Sequence, residues 1–335
     1  MTDNELLTIA AGLAHQAGAP APSALTPLKG GRNNRVFRTH HADGPRVMKV
    51  YHRDPLDARN RLNHEWAFLV YAARKGVVAV PRPLARDDLA GAALYSFAPG
   101  ARIGAESIGA HLGKAIAFVL EVNARPRRFE GLSEASEACF SLGEHLTSVD
   151  RRIARLNGID ADAPLRAEVE ALVSKQLQPI WSRVRARAAA SSDIESRIPS
   201  RAVILSPSDF GFHNALIDGD RVTFIDFEYA GLDDPAKLVC DTFAQPDVPA
   251  PVGAFEPFAT ELIQGLGLDD KDLERCFRLR DVYQAKWACI MLNEFLPMDA
   301  RRRAAAGHTR TPEGCARQIA RVVAKLKAIE TLLET

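Results

Sequence analysis

The sequence predicts an α+β fold in two parts, a small sheet-rich N-terminal lobe and a larger helical C-terminal lobe. Three observations point to it. Short β-type runs with one helix between them occupy the first hundred residues, and the last of these runs breaks at Pro99-Gly100. Beyond Ile103 helical periodicity dominates. The β signal then returns only at "RAVILSPSD" and "NALIDGDRVTFIDFEYAG". At 335 residues, with 47% hydrophobic and 25% charged residues, the chain has ordinary globular composition and can bury a sizeable core. The expected division is 1–97 and 98–335.

Taken in order, "ELLTIAAGLAHQ" (5–16) has the spacing of an amphipathic helix, and the Pro- and Ala-rich "GAPAPSALTP" reads as a linker or extended arm. "NRVFRTH" and "PRVMKVYH" alternate like strands, and the Asp-Gly of "HADG" between them is a hairpin signal. Residues 56–75 form a helix whose apolar spacing is set by Leu62, Trp66, Leu69 and Ala73, with Gly76 past its end. "GAALYSFAPG" is a strand up to the Pro-Gly break. Further helices are expected over 106–124, 134–156 and 163–189, and a hairpin turn at Asp218-Gly219-Asp220. The last helix starts at Thr311-Pro312, an N-cap followed by Pro at the first helical position, with Ile319, Val322, Val323, Leu326, Ile329 and Leu333 as its stripe.

Several function classes are disfavoured. Forty-three basic against 42 acidic residues give a net charge of +1, so no nucleic-acid partner is expected. The basic run at 301–303 lacks the interleaved aromatics that single-strand binding uses, and reads as a solvated helix end. No signal peptide or bilayer-length apolar run is expected, hence no membrane insertion and a cytoplasmic location. Cys139, Cys240, Cys276, Cys289 and Cys315 are scattered without a CxxC and read as reduced, mostly buried thiols. Nine histidines include no HExxH, so a zinc site is not expected.

The chemistry concentrates in "ILSPSDFGFHNALID". Asp209 and Asn214 lie in a bend between strand-like runs. Taken alone they are turn formers. If 214–217 and 222–225 pair as a hairpin, its open end brings Asn214 beside Asp226, and the entering loop carries Asp209 to the same place. Two oxygen ligands, one of them anionic, suit Mg²⁺, whose other positions go to water and phosphate oxygens. An Asp, an Asn five residues on, and a later Asp-Phe form the layout of phosphoryl transfer, with one Asp for the acceptor hydroxyl and the other two residues for the metal. Glu65 sits near the buried side of its helix between Leu62 and Leu69. A buried charge is costly unless paired, so an ion pair with Lys49 is expected.

On these residues the chain resembles the aminoglycoside phosphotransferase and choline kinase family, a branch of the protein-kinase-like fold. "SDFGFHN" resembles the family's catalytic loop and "IDFEYAG" its metal-binding segment. "LKGGRNNRVF" resembles the nucleotide-covering loop, with Gly30, Gly31 and Asn34 matching. "VMKVY" resembles the strand whose lysine, Lys49, holds the phosphates, and "NHEWAFL" the helix whose glutamate, Glu65, pairs with it. "LYSFAPG" resembles the hinge, placing the purine against the backbone around Ser96 to Ala98. The resemblance implies a kinase transferring the γ-phosphoryl group of ATP, or of GTP, to a small-molecule hydroxyl, with Asp209 as base and Asn214 and Asp226 on Mg²⁺. Residues 1–97 would then cover the nucleotide, and 98–335 would carry the catalytic loop, metal site and acceptor pocket.

The chain departs from the family where a His is usual two residues before the catalytic Asp, since Pro207 stands there. The family's Asp-Leu-Ala run corresponds either to Lys237 or to Asp241. Pro207 supports a rival reading, a nucleotide-binding regulatory protein without turnover, against which the retention of Asp209 argues. A protein kinase would need a longer activation segment than "EYAGLDDPAK". His213 is expected to pack or hydrogen-bond within the loop, and Phe227 to pack in the core. The acceptor is expected against the 278–297 helix, which is apolar nearly all round. Lys286 and Asn293 share a face there, with Glu294 adjacent and Asp233 adding negative charge. Buried polar groups on such a face need a partner, either protein or ligand.

Overall fold

Helix α1 (Asp3–Gln16) begins where Thr2 and Glu5 cap each other's backbone N–H groups, and it buries Leu6, Ala10, Leu13 and Ala14. That stripe lies on a five-stranded antiparallel sheet of order β1-β2-β3-β5-β4. Its strands are β1 (Ala24–Pro27), β2 (Arg35–His41), β3 (Gly44–Val50), β4 (Pro83–Asp87) and β5 (Ala92–Ser96). The computed structural model describes residues 1–28, 34–53, 59–127, 129–190, 193–300 and 310–334. The segment expected to be a linker therefore ends in a strand. Position β1 is an edge, where Pro27 removes a donor the ladder does not need.

Alternation sorts the sheet into two faces. Phe37, Met48, Val50, Ala92 and Leu94 pack with Leu6, Ala10 and Leu13 in one core cluster. The strand register puts Val36, Arg38, Val47, Lys49, Ala93 and Tyr95 on the other face. Helix α2 (Arg61–Arg74) is capped by Asn60, whose side-chain oxygen accepts from Asn63 N at 3.1 Å, and it ends before Gly76 at φ +77°. Its expected start at 56 falls among residues outside those described.

Three further strands follow: β6 (Ala101–Arg102), β8 (Ala215–Asp218) and β9 (Arg221–Phe224), in the order β6-β8-β9. The β8–β9 hairpin pairs Ala215 with Phe224 and Ile217 with Val222, and Ile225 N donates to Asn214 O at 2.9 Å. Gly100 (φ +123°) lets β6 approach β8, since a Cβ there would lie 2.7 Å from Ile217 O. Helix α3 (Leu112–Val122) follows a 3-10 turn and stacks Phe118 on Phe210 and Phe224. The chain forms two compact units. One comprises Met1–Ser136 with Leu205–Leu232, the other Glu137–Ile204 with Asp233–Thr335. The hairpin and the Asp209 loop thus fold with the N-terminal sheet, a different partition from a cut at residue 97.

The second unit is helical: α4 (Leu142–Arg155), α5 (Arg166–Leu172), α6 (Gln178–Ala188), α7 (Pro235–Ala244), α8 (Phe255–Gly265), α9 (Asp270–Leu292) and α10 (Pro312–Glu334). The helix expected from 134 begins only at 142, because Ser141 caps it through Glu144 N at 3.2 Å, and the chain before it bridges to Leu232 at Glu134 and turns at Ser136–Glu137, where Glu137 has φ +59°. Between α5 and α6 the helix widens to a π-turn over Val173–Leu177, ahead of Pro179, which has no N–H to give. Helix α9, capped reciprocally by Asp269 and Asp272, packs against α4, α6, α7, α8 and α10. The five cysteines are free and buried. Among the described residues no helix is long and apolar enough to cross a membrane.

One buried polar chain links α4, α7 and α9. His145, fully buried, contacts the Tyr283 hydroxyl through Nδ1 (2.7 Å) and Asp234 through Nε2 (3.3 Å). Arg275 also pairs with Asp234 (2.9 Å) and Asp272 (2.6 Å). Burial alone would lower the imidazole's pKa, but Asp234 and Cys139 hold its protonated form and raise it to about 9. A raised folded-state pKa contributes stability that is complete below about 6.5, the unfolded value, and is lost as pH rises through about 9. Melting temperature should therefore fall from pH 6.5 to 9.5 more steeply in the native protein than in His145→Gln; parallel melting curves would contradict a buried imidazolium.

Candidate active site

The Asp209 loop is braced at both ends. Strand β7 (Ile204–Ser206) is pinned by Asn123, whose amide accepts from Leu205 N (2.9 Å) and donates to Leu205 O (3.0 Å). Ser206 Oγ accepts from Ser208 N at 3.0 Å, across Pro207. Ser208 itself adopts a left-handed φ of +66°, and turns the chain so that Phe210 and Phe212 are buried while Asp209 stays partly exposed. His213 Nε2 lies 3.2 Å from Asp209 Oδ1, and Asn214 Nδ2 donates to Asp209 O at 3.0 Å. With its nitrogen so committed, the Asn214 side chain has its oxygen left as an acceptor. Asn123, Ser206 and His213 together hold the loop in which the family's usual His is replaced by Pro207.

Across the hairpin, Asp226 also takes a left-handed φ, +70°. Its Oδ1 accepts from Lys49 Nζ at 2.5 Å, and Lys49 donates to Glu65 Oε2 at 2.7 Å. Glu65 is further held by the Tyr51 hydroxyl (2.6 Å) and by Phe227 N (3.3 Å), and Tyr51 meets the Tyr95 hydroxyl at 2.7 Å. Phe227 stacks on Phe68 of α2 with centroids 4.3 Å apart, as a core residue. Glu228 stands 3.8 Å from Lys49 and 3.9 Å from Arg61 Nε, and accepts from Asn34 Nδ2. Burial alone would lower the Lys49 pKa, but Asp226, Glu65 and Glu228 hold it well above the ordinary lysine range.

The arrangement fits a divalent cation. Glu65, Asp226 and Glu228 surround Lys49, and Arg61 stands beside Glu228. Asp226 is 36% exposed where Glu65 is 6% and Glu228 3%. The negative charge therefore opens outward at Asp226, one residue past Ile225, which bonds to the Asn214 carbonyl, and hard oxygen donors such as Asp226 and Asn214 suit Mg²⁺.

The other expected site residues are dispersed. Gly30 and Gly31 lie outside the described residues. Asn34 leads into β2, bonded to Glu228 and accepting from His52 N at 3.1 Å. Ser96 N donates to Arg82 O (2.9 Å) and Ser96 Oγ accepts from Arg82 N (2.8 Å), so that N–H is committed within the sheet. In the second unit, Asp233 is fully buried and accepts from Cys139 N, Asp234 N and Lys237. Lys286 is held by both Asp241 oxygens (3.0 and 3.1 Å), which also take the Trp287 N–H at 2.8 Å. Protein, not ligand, satisfies Lys286. Lys237 and Asp241, the two claimants to the family's Asp position, are both committed to buried ion pairs. Asn293 ends α9 and opens a 3-10 turn (Asn293–Phe295) that includes Glu294, whose carbonyl faces Arg310. Sequence reasoning missed Asn123, Tyr95 and Glu228. The signal for Tyr51 was its place two residues after Lys49.

A model of the phosphotransferase enzyme family matches residues 24–255. The chain belongs to this family. Solved structures share its fold. A choline/ethanolamine kinase family protein from Mesorhizobium loti is 19% identical, with 96% of this chain and 99% of that one covered at a TM-score of 0.56. A spectinomycin phosphotransferase, crystallised with ADP and spectinomycin, is 12% identical, with 98% of each chain covered at 0.62. An amicoumacin kinase is 14% identical, with 98% and 94% covered at 0.61. Comparison with curated protein sequences finds no match. The fold is thus the α+β protein-kinase-like one, and the chain is a member of the phosphotransferase enzyme family.

In this phosphotransferase the Lys49 cluster should dominate local stability. Lys49→Met strands three carboxylates and should cost about 3–5 kcal/mol, the usual loss on breaking a buried pair. Adding Glu65→Gln should recover part of it. Urea denaturation of both variants checks this; fully additive losses would mean that the pair does not act as a unit.

Proposed function

We propose that this phosphotransferase transfers the γ-phosphoryl group of ATP or GTP to a hydroxyl of a small molecule, such as a sugar, an amino alcohol, an aminoglycoside or a cell-envelope precursor. One observation supports the reading. Asn214, bonded to Asp209 O, pairs at the open end of the β8–β9 hairpin with Ile225, the residue before Asp226, and Asp226 is bonded to the buried Lys49–Glu65 pair.

Asp209 orients the acceptor hydroxyl and takes its proton as the oxygen attacks phosphorus; the bond to the bridging oxygen breaks and the nucleoside diphosphate leaves. His213 and Asn214 hold Asp209 in place. Lys49, kept charged by its carboxylates, grips the phosphates, and Glu65 fixes Lys49 with the help of Tyr51. Asn214 and Asp226 would hold Mg²⁺, which when bound neutralises phosphate charge. Catalysis rests on positioning and charge stabilisation. Pro207 does not leave the loop unbraced, because Asn123 and Ser206 hold the backbone around it, which favours turnover over a regulatory role.

A nucleotide-consumption screen over the four acceptor classes tests the activity. With an acceptor in hand, Asp209→Asn should lower kcat by about 10²–10⁴-fold with an unchanged melting temperature; equal activity would remove Asp209 as the base. Asp226→Ala should abolish Mg²⁺-dependent nucleotide binding in calorimetry, because it removes the anionic ligand. Unchanged affinity would make Asp226 only a turn residue.

A further inference from the structure

The proposed function leaves open which base the nucleotide carries, and the face of the sheet that bears Lys49 supplies an answer; the inference rests on that nucleotide reading. On this face, α2 covers the side nearer β5. Trp66 lies 6.3 Å from Tyr95, and Glu65 sits on Lys49. Toward β2, among the described residues, that cover ends. Val36, Arg38 and Val47 are only half-buried, as are Ser96, Phe97 and Ala98 past the end of β5. An apolar strip, Val36 and Val47, thus runs between the lysine that would hold the phosphates and residues 96–98. A flat ring can lie on such a strip.

Arg38 stands at the end of this strip away from Lys49. Its guanidinium carbon lies 4.7 Å from the centroid of the Phe97 ring, so the planar group is fixed by stacking on the residue beside Ser96 and Ala98. Its Nε is buried and has no hydrogen-bond partner among the described residues. A buried N–H without a partner is rare in folded proteins and calls for an explanation. The neighbouring Arg46, by contrast, is paired with Asp43 at 2.7 Å. Arg38 is therefore an oriented donor whose Nε has no acceptor among the described residues, placed where a base would meet residues 96–98.

A guanidinium offers only donors. Guanine presents O6 and N7 as adjacent acceptors, which match its fork. Adenine has an amino donor in place of O6, which opposes it. We infer that Arg38 reads the base and selects guanine, making GTP rather than ATP the phosphoryl donor.

Calorimetry with Mg·GTP and Mg·ATP tests this without any acceptor. The native protein should bind GTP about tenfold or more tightly than ATP. Arg38→Met keeps an aliphatic stem on Phe97 and should erase the difference by weakening GTP alone. Arg38→Lys keeps the charge, loses the fork, and should erase it too. Melting curves establish that each variant folds; should Arg38→Met not fold, Arg38→Lys and Phe97→Leu read the same ratio. The inference is overturned if the native protein prefers ATP, if the ratio survives in the variants, or if both nucleotides weaken equally, as loss of bulk charge alone would cause. Failure of the native protein to bind either nucleotide would overturn the kinase reading itself, and this inference with it.

Discussion

One buried ammonium group organises the first unit. Lys49 is 8% exposed, and three carboxylates converge on it from two places in the fold: Glu65 from α2, and Asp226 with Glu228 from the segment after β9. Each carboxylate would be costly to bury without the lysine, and the lysine without carboxylates. The cluster therefore fixes α2 and the end of the β8–β9 hairpin to the sheet. The Tyr51–Tyr95 hydroxyl pair extends the chain to β5 by satisfying the Glu65 oxygen that Lys49 also uses. Burial pushes both phenols well above their ordinary range, so they stay neutral donors beside the carboxylate.

The same unit holds two residues in backbone conformations that L-amino acids rarely adopt, Ser208 at φ +66° and Asp226 at φ +70°. Such strain costs about 1–3 kcal/mol at each position and persists only where the surroundings over-determine it. Here the surroundings are aromatic. Phe118 stacks with Phe210 and Phe224, and Phe68 with Phe227, so a ring locked in the core follows Ser208 by two residues and Asp226 by one. The anchored rings leave Asp209 and Asp226 with little freedom to relax inward. Packing energy is thereby converted into the aim of two carboxylates.

What the sequence made legible follows from local periodicity. Alternation and the Asp-Gly-Asp turn set the register of the β8–β9 hairpin, and with it the meeting of Asn214 and the chain at Ile225. Glu65 could be placed because it lies between Leu62 and Leu69 on a helix whose buried side was plain. What was not legible depends on contacts across long stretches of chain. The Asn123 amide bridges 82 residues to Leu205, Asn34 reaches 194 residues to Glu228, and Asp241 meets Lys286 across 45. No local pattern encodes such a pairing. Strand β1 was missed because Pro and Ala lower strand propensity, although an edge position tolerates them. The overlong helix from 134 was an error of boundary, where a capping serine outweighs continuing helical spacing.

The treatment of buried charge differs between the two units, and the difference bears on function. In the second unit the buried ions answer one another: Asp233 with Lys237, Asp241 with Lys286, and Asp234 with His145 and Arg275. Their desolvation is offset within the protein, so their presence needs no ligand to explain it, and Lys286 on the apolar α9 is accounted for by Asp241 of α7. In the first unit three carboxylates share Lys49, Asp226 stays open to the surroundings, and among the described residues the buried Arg38 Nε has no partner. An anionic end and a donor-only end, separated by a half-buried apolar strip, match a metal-bound triphosphate at one end and a base with acceptor atoms at the other. The groups that folding leaves unmatched are the ones that a nucleotide would complete.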